Sequence, residues 1–185
     1  MHEDLVARAQ RGDRDAFASL TAGRTNRLYA AARLILRDDE AAADAVQDTL
    51  VRAWIDLRGL REPSLFDAWL HRVLIRVCHR AASRSRGRIE REVRAVGQSP
   101  ATTSDVQVEL AARDELERGL RRLSHDHRTV LVVRYYLDLP LGECAQVLGL
   151  PLGTVQSRIN RALQALRSAL EAEGRPIVLA GEVVA

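Results

Sequence analysis

Lysine is absent from this 185-residue chain, and all 28 of its basic side chains are arginine. Arginine's planar fork suits phosphates and guanine edges, although a GC-rich coding bias gives the same pattern. Aromatic residues make up only 4% of the sequence, methionine occurs once and cysteine twice. The two cysteines, Cys78 and Cys144, fall inside helical patterns, where they read as small buried hydrophobes rather than a disulfide framework. Long β-branched runs are missing too, and with alanine and leucine abundant the composition predicts an all-α protein. The N-terminal stretch MHEDLVARAQRGD has no signal-peptide core, and no apolar run approaches membrane-spanning length. These absences predict a cytoplasmic protein without membrane insertion. No phosphate-cradling glycine loop and no nucleophile motif occurs. His125 and His127 of SHDH lack a matching Cys/His cluster. The expectation is therefore a protein that is not an enzyme, with no cofactor and no metal site. The net charge of +3 is modest, so where the arginines lie matters more than their number.

What is present divides into two helical blocks and a linker. The first block spans residues 1–86. Asp38, Asp39 and Glu40 open a helix with Val46, Leu50, Ala53, Trp54 and Leu57 on one stripe. Gly59 and Pro63 punctuate the chain, and Ser64 with Asp67 predicts a capping box for a helix that buries Phe66, Leu70, Val73, Val77 and Ala81. Residues 87–108, including GQSPATTSD, have the composition of a flexible linker. Helical pattern resumes over 109–173, and residues 174–185 read as a tail.

In LGLPLGTVQSRINRA, residues 148–162, one helix ends and another starts within five positions. Gly149 suits a left-handed cap, and Pro151 suits the next helix start, where its missing N–H is not needed. The second helix buries Val155, Ile159, Ala162, Leu163, Leu166 and Leu170 over an arc of about 100°. Thr154, Ser157, Asn160 and Arg161 face the other way, flanked by Gln156 and Arg158. Two helices joined by a tight glycine turn make a helix-turn-helix, and short hydrogen-bonding side chains with arginines are the inventory that reads base edges and phosphates. The bland alternative is a helical hairpin with solvated arginines. Turn spacing and polar-face composition together favour DNA.

The first block carries a second basic surface. Arg72, Arg76, His79 and Ser83 lie within about 60° of one another on the back of the helix that begins near Leu65. Arg80, Arg84, Arg86, Arg88 and Arg91 extend the charge toward the linker, where salt-sensitive phosphate contact is the natural reading. Trp69, on the flank, either closes the core or stacks on an unpaired base. The preceding helix has a different outer face: Asp44 and Asp48 beside Val51 and Ile55. Apolar residues among acids suit a protein partner with an apolar groove and a basic rim. The alternative is that the N-terminal helices cover them.

Three segments together resemble bacterial RNA polymerase sigma factors of the sigma-70 family, in the extracytoplasmic-function group. DAVQDTLVRAW (44–54) resembles the part of sigma region 2 that docks on core polymerase. LFDAWLHRVLIRVCHRAASRSR (65–86) resembles the promoter minus-10 segment that follows, and residues 123–167 resemble region 4 closely. The resemblance covers nearly all of the chain except the linker and tail. It implies a sigma region 2-like domain and a helix-turn-helix region 4-like domain. It also implies binding to core RNA polymerase, through the β′ clamp helices and the β flap, and to promoter DNA. Core binding would then involve Asp44, Gln47, Asp48, Val51, Arg52 and Ile55, with Trp54 packing. Minus-10 contact would fall to Trp69, Arg72, Arg76, His79 and Arg80, and minus-35 reading to Thr154, Gln156, Ser157, Arg158, Asn160 and Arg161. The linker would stand in place of region 3. Members of the group are often held by an anti-sigma factor. Arg76 and Arg80 stand where many relatives carry Asn and Asp, which implies stronger phosphate binding and less amide readout of a base. Gln156 replaces a common basic residue, and Pro140 and Gly142 replace Ser and Glu. The rival reading is a stand-alone helix-turn-helix transcriptional regulator, but the first block offers neither a ligand-pocket signature nor a receiver-like βα alternation.

Overall fold

The computed structural model describes residues 2–93 and 109–172, with side-chain surroundings for 2–84 and 116–172. The predicted linker core at 94–108, the tail, and the side chains of Arg86, Arg88 and Arg91 lie outside the described residues. Among the described residues all regular structure is helical, as the composition predicts. The helices are α1 (His2–Gln10), α2 (Arg14–Ala22), α3 (Thr25–Leu36), α4 (Asp39–Asp56) and α5 (Phe66–Val93) in the first unit. The second unit holds α6 (Glu109–Arg122), α7 (His125–Leu131), α8 (Leu141–Leu148) and α9 (Leu152–Glu171). Helix α5 continues through Gly87 to Val93.

Local chemistry sets most of the boundaries. Asp13 accepts a hydrogen bond from the Ala16 N–H at 3.0 Å and starts α2. Asp38 does the same for Ala41 at 2.7 Å, with Asp39 and Glu40 in the first turn of α4 where the helix dipole favours acids. The predicted α4 stripe is realised: Val46, Ala53 and Leu57 are buried, and Leu50 packs against the core. The predicted α5 stripe is likewise buried at Phe66, Leu70, Val73 and Val77. Between these helices the chain makes two short 3-10 turns, Leu57–Gly59 and Pro63–Leu65. The Gln10 amide of α1 donates to the Leu57 and Leu60 carbonyls at 3.1 and 2.7 Å and fixes that loop.

The expected Ser64–Asp67 capping box does not form. Pro63 leads into α5 through a 3-10 turn without a side-chain cap. The Asp67 carboxylate instead takes both arms of the Arg24 guanidinium at the end of α2. Burial pushes the Asp67 carboxyl up, but Arg24 outweighs it and holds the group below the usual carboxylate range. A bidentate charged partner from a distant helix has displaced a single local bond.

In the second unit a π-helical stretch, Val132–Tyr136, continues α7. Asp138, with φ 54°, turns the chain toward α8. The Cys144 thiol is buried and donates to the Leu139 carbonyl at 3.2 Å, and Cys78 is fully buried with its thiol pushed up to about 12 by burial. Both cysteines are free, as expected. Gly149 caps α8 with φ 67°, and α9 starts three residues later, at Leu152, behind Pro151. A Cβ on Gly149 would meet no atom within 4 Å, so an alanine there carries only the cost of the left-handed backbone. Gly149→Ala is expected to destabilise the protein by about 1 kcal/mol, seen as a fall of about 3 °C in thermal melting.

The two units pack on each other. Helix α3 lies against α7 and the π segment, and α5 lies against α8. One cluster of buried side chains runs through both units, from Leu28 and Phe66 to Val133 and Val155. This gives α5 a second buried side, occupied by Leu74, Ile75 and Cys78, away from the predicted stripe.

Candidate nucleic-acid and partner interfaces

Helix α9 has one buried side and one polar side. Its inner side buries Val155, Ile159, Ala162 and Leu170. Gln156, Ser157, Asn160 and Arg161 are exposed, and Thr154 is half-buried. Ser157 donates to the Thr154 carbonyl at 3.0 Å, and the Arg161 guanidinium donates back to the Ser157 carbonyl and hydroxyl, both at 3.2 Å. These bonds hold Arg161 along the helix with part of its fork open. Arg158 behaves differently. It is half-buried and pairs with Asp126 at the start of α7, at 3.1 Å, which ties α9 to α7. Of the six residues predicted to read the minus-35 element, four are exposed, Thr154 is half-buried and Arg158 is paired with Asp126.

The basic back of α5 is divided in a similar way. Arg76 and Arg80 are exposed, and Arg72 is half-buried with its Nε unpartnered. His79, predicted on the same open row, faces the second unit. Its Nδ1 lies 3.2 Å from Nε2 of His125, with the rings edge to face at 4.7 Å. Trp69 is half-buried beside Phe66, ring centroids 6.0 Å apart, and packs against the core. His125 and His127 sit in the first turn of α7, whose N-terminus Ser124 caps. Among the described residues no group of three or more His, Cys, Asp or Glu side chains is placed to hold a metal ion.

The outer face of α4 stands clear of the other helices. Ile55 and Val51 are 66% and 59% exposed, the highest values among the large apolar side chains described. The N-terminal helices do not cover them. Asp44, Gln47 and Asp48 are exposed beside them, while Arg52 turns inward, half-buried, with its Nε unpartnered. A groove separates α4 from α5. Asp44, Asp48 and Arg52 line one wall and Arg80 and Arg84 the other, over a floor of Ala45, Val77 and Ala81.

Sequence reasoning missed this groove, the loop pinned by Gln10, and a set of arginines joining the units. Arg128 is buried, and donates to the Ile35 carbonyl at 2.8 Å and to the Leu120 and Leu123 carbonyls at 3.2 Å. Burial, with Arg37 nearby, brings its guanidinium down to about 10, still protonated at neutral pH. Its partners are carbonyls at helix ends far apart in sequence, so no spacing pattern signals them.

A helix-turn-helix with a polar reading face, a separate arginine-rich helix and an exposed acid-and-apolar face together define a DNA-binding protein that also docks on another protein. Comparison with known proteins gives the family. The family descriptions "Sigma-70 region 2" and "Sigma-70, region 4" match residues 24–88 and 119–168. The sigma-H factor of Pseudomonas aeruginosa is 30% identical over 180 residues, covering 91% of this chain and 93% of that one. The extracytoplasmic-function sigma factor SigM of Mycobacterium tuberculosis is 31% identical over 159 residues, 86% of this chain and 79% of that one. The sigma factor RpoE of Bartonella quintana, solved with the anti-sigma factor NepR, has a TM-score of 0.69 at 26% identity, covering 85% of this chain and 98% of that chain. The chain belongs to the sigma-70 family of RNA polymerase sigma factors, in the extracytoplasmic-function group. Its function is to bind core RNA polymerase and direct promoter recognition in transcription initiation.

Proposed function

We propose that three surfaces divide this work. The α4 face of Asp44, Gln47, Asp48, Val51 and Ile55 docks on the β′ clamp helices, with Arg52 supporting it from the groove. Arg72, Arg76 and Arg80 on α5 hold minus-10 DNA, and Gln156, Ser157, Asn160 and Arg161 on α9 read the minus-35 element. Thr154 and Arg158 position that helix, Trp69 and His79 serve packing, and the second unit meets the β flap. In this reading residues 1–86 form the polymerase and minus-10 unit, 87–108 the connection, which begins with the last turns of α5, 109–173 the minus-35 unit and 174–185 a tail. The protein acts in the cytoplasm as a non-catalytic specificity subunit. Among the described residues no helix is long and apolar enough to cross a membrane.

The observation that carries this reading is the pair of exposed apolar residues, Val51 and Ile55, on the same helix face as Asp44 and Asp48. Water-exposed branched side chains among acids fit a partner with an apolar groove and basic rim, not DNA. Co-elution with bacterial core RNA polymerase, without DNA, tests it. Binding that survives moderate salt supports a polymerase subunit, whereas none at low salt, with the protein folded, leaves a stand-alone regulator. The DNA faces have their own test. Arg161→Ala is expected to weaken minus-35-dependent transcription by about tenfold, the worth of one base or phosphate contact, and to leave core-polymerase affinity unchanged in titration. The Bartonella relative's complex with an anti-sigma factor supports a similar inhibitory partner for this chain.

A further inference from the structure

We propose that the tip of α9 recognises a thymine by its C5-methyl group, with Leu152 as the contact and Gly153 as the residue that lets the helix come close enough. The inference rests on the proposed reading of α9 as the helix that enters the major groove. Pro151, Leu152 and Gly153 are all exposed and offer no polar side chain. The polar face begins only with Thr154 and Gln156.

Leu152 is the first residue of α9 and is 52% exposed. A single exposed leucine is ordinary on a protein surface; its place is what sets it apart. At about 100° per residue it continues the apolar stripe of Val155 and Ile159, both of which are buried. The stripe thus runs on past the end of the core. Leu152 also stands one turn ahead of Gln156. Helical side chains lean toward the N-terminus, so it projects at the leading end of the polar face.

Gly153 supplies an independent observation. It falls within about 20° of Asn160, in the middle of the arc that runs from Gln156 to Arg161. Its backbone is ordinary helix, and a Cβ there would meet no atom within 4 Å. The fold therefore gives no reason for glycine, a weaker helix former than alanine. A missing side chain in the middle of a reading face fits close approach of the backbone to a ligand.

The N-terminal residues of a recognition helix contact base edges. Against guanine, adenine or cytosine an apolar tip covers a donor or acceptor without replacing its water. The thymine methyl instead gains from the contact. Leu152 thereby favours thymine over cytosine at one position of the minus-35 element. The polar residues of α9 read donors and acceptors, so this contact carries information that theirs do not.

Removing the methyl group alone tests the proposal. The full-length protein with core polymerase selects duplexes from a library randomised over the minus-35 region. Each thymine of a selected duplex is then replaced by deoxyuridine, which pairs with adenine as thymine does. One position should lose about fourfold in affinity, the worth of one buried methyl. Leu152→Ala and Leu152→Ser should each bind the thymine and deoxyuridine duplexes alike, and the serine variant decides the matter if the alanine variant melts early. Gly153→Ala should melt no lower than the wild type yet bind every selected duplex more weakly. Three results overturn the proposal: selected duplexes in which deoxyuridine costs nothing or thymine is lacking, a loss that persists in both Leu152 variants, or a Gly153→Ala protein that binds as tightly as the wild type. Failure to select any duplex, with core polymerase bound, overturns the reading of α9 instead.

Discussion

Replacing Ile55 with glutamate lowers affinity for core RNA polymerase at least tenfold and leaves the fold intact. Ile55 is 66% exposed, so the substitution removes little buried area, and its cost to folding stays within about 0.5 kcal/mol. In the proposed complex the same side chain is an apolar anchor at the C-terminal end of the α4 face, and charging such an anchor costs about 2 kcal/mol or more. Fluorescence titration of labelled protein with core polymerase reads the change, and circular dichroism confirms the helices. Asp48→Arg, on the same face, is expected to weaken binding too, with a loss that shrinks as salt is raised, because it reverses a charge at an exposed rim. If both variants bind as the wild type does, α4 is not the docking helix.

Arg128→Met destabilises the protein by about 3 kcal/mol and lowers its melting temperature by about 6–12 °C. The guanidinium is buried and serves three carbonyls: Ile35 in α3, Leu120 in α6, and Leu123 just beyond it. Methionine fills much of the volume without a donor, so the Ile35 and Leu123 carbonyls lose this partner and the Leu120 carbonyl keeps only the Leu123 N–H, at about 1 kcal/mol for each bond lost. Lysine does not substitute for the fork: its single ammonium cannot reach α3 and the end of α6 in the same plane, so Arg128→Lys is expected to recover less than half of the loss. Thermal unfolding of the three proteins checks the ordering. A methionine variant as stable as the parent would show that water serves those carbonyls equally well.

These two residues sit at opposite ends of what could be read in advance. Ile55 is legible because α4 is amphipathic over 18 residues, and an apolar residue off the buried stripe stands out. Arg128 is not, because an arginine in an amphipathic pattern looks solvated until its surroundings are known. Arg158 is a similar case: its place on the polar side of α9 suggests DNA, and only the approach of α7 puts Asp126 within 3.1 Å. His79 shares an arc with Arg76, yet it meets His125 of the other unit. Ser64 has a capping-box partner three residues on, yet Arg24 captures Asp67 from 43 positions away.

The sequence by itself determined the helical patterns of α4, α5, α8 and α9, the start at Asp38 and the stop at Gly149, the helix-turn-helix break, and the apolar residues of α4 that lie off its buried stripe. Each depends on side chains within a turn or two of one another, where periodicity and capping chemistry act. Only the tertiary structure decided that α5 buries two sides and that α3 arginines cap the far unit. It also decided which of the basic residues remain exposed. Those outcomes turn on contacts between residues up to 110 positions apart, where spacing carries no signal and selection falls to packing, burial and competition for charged partners.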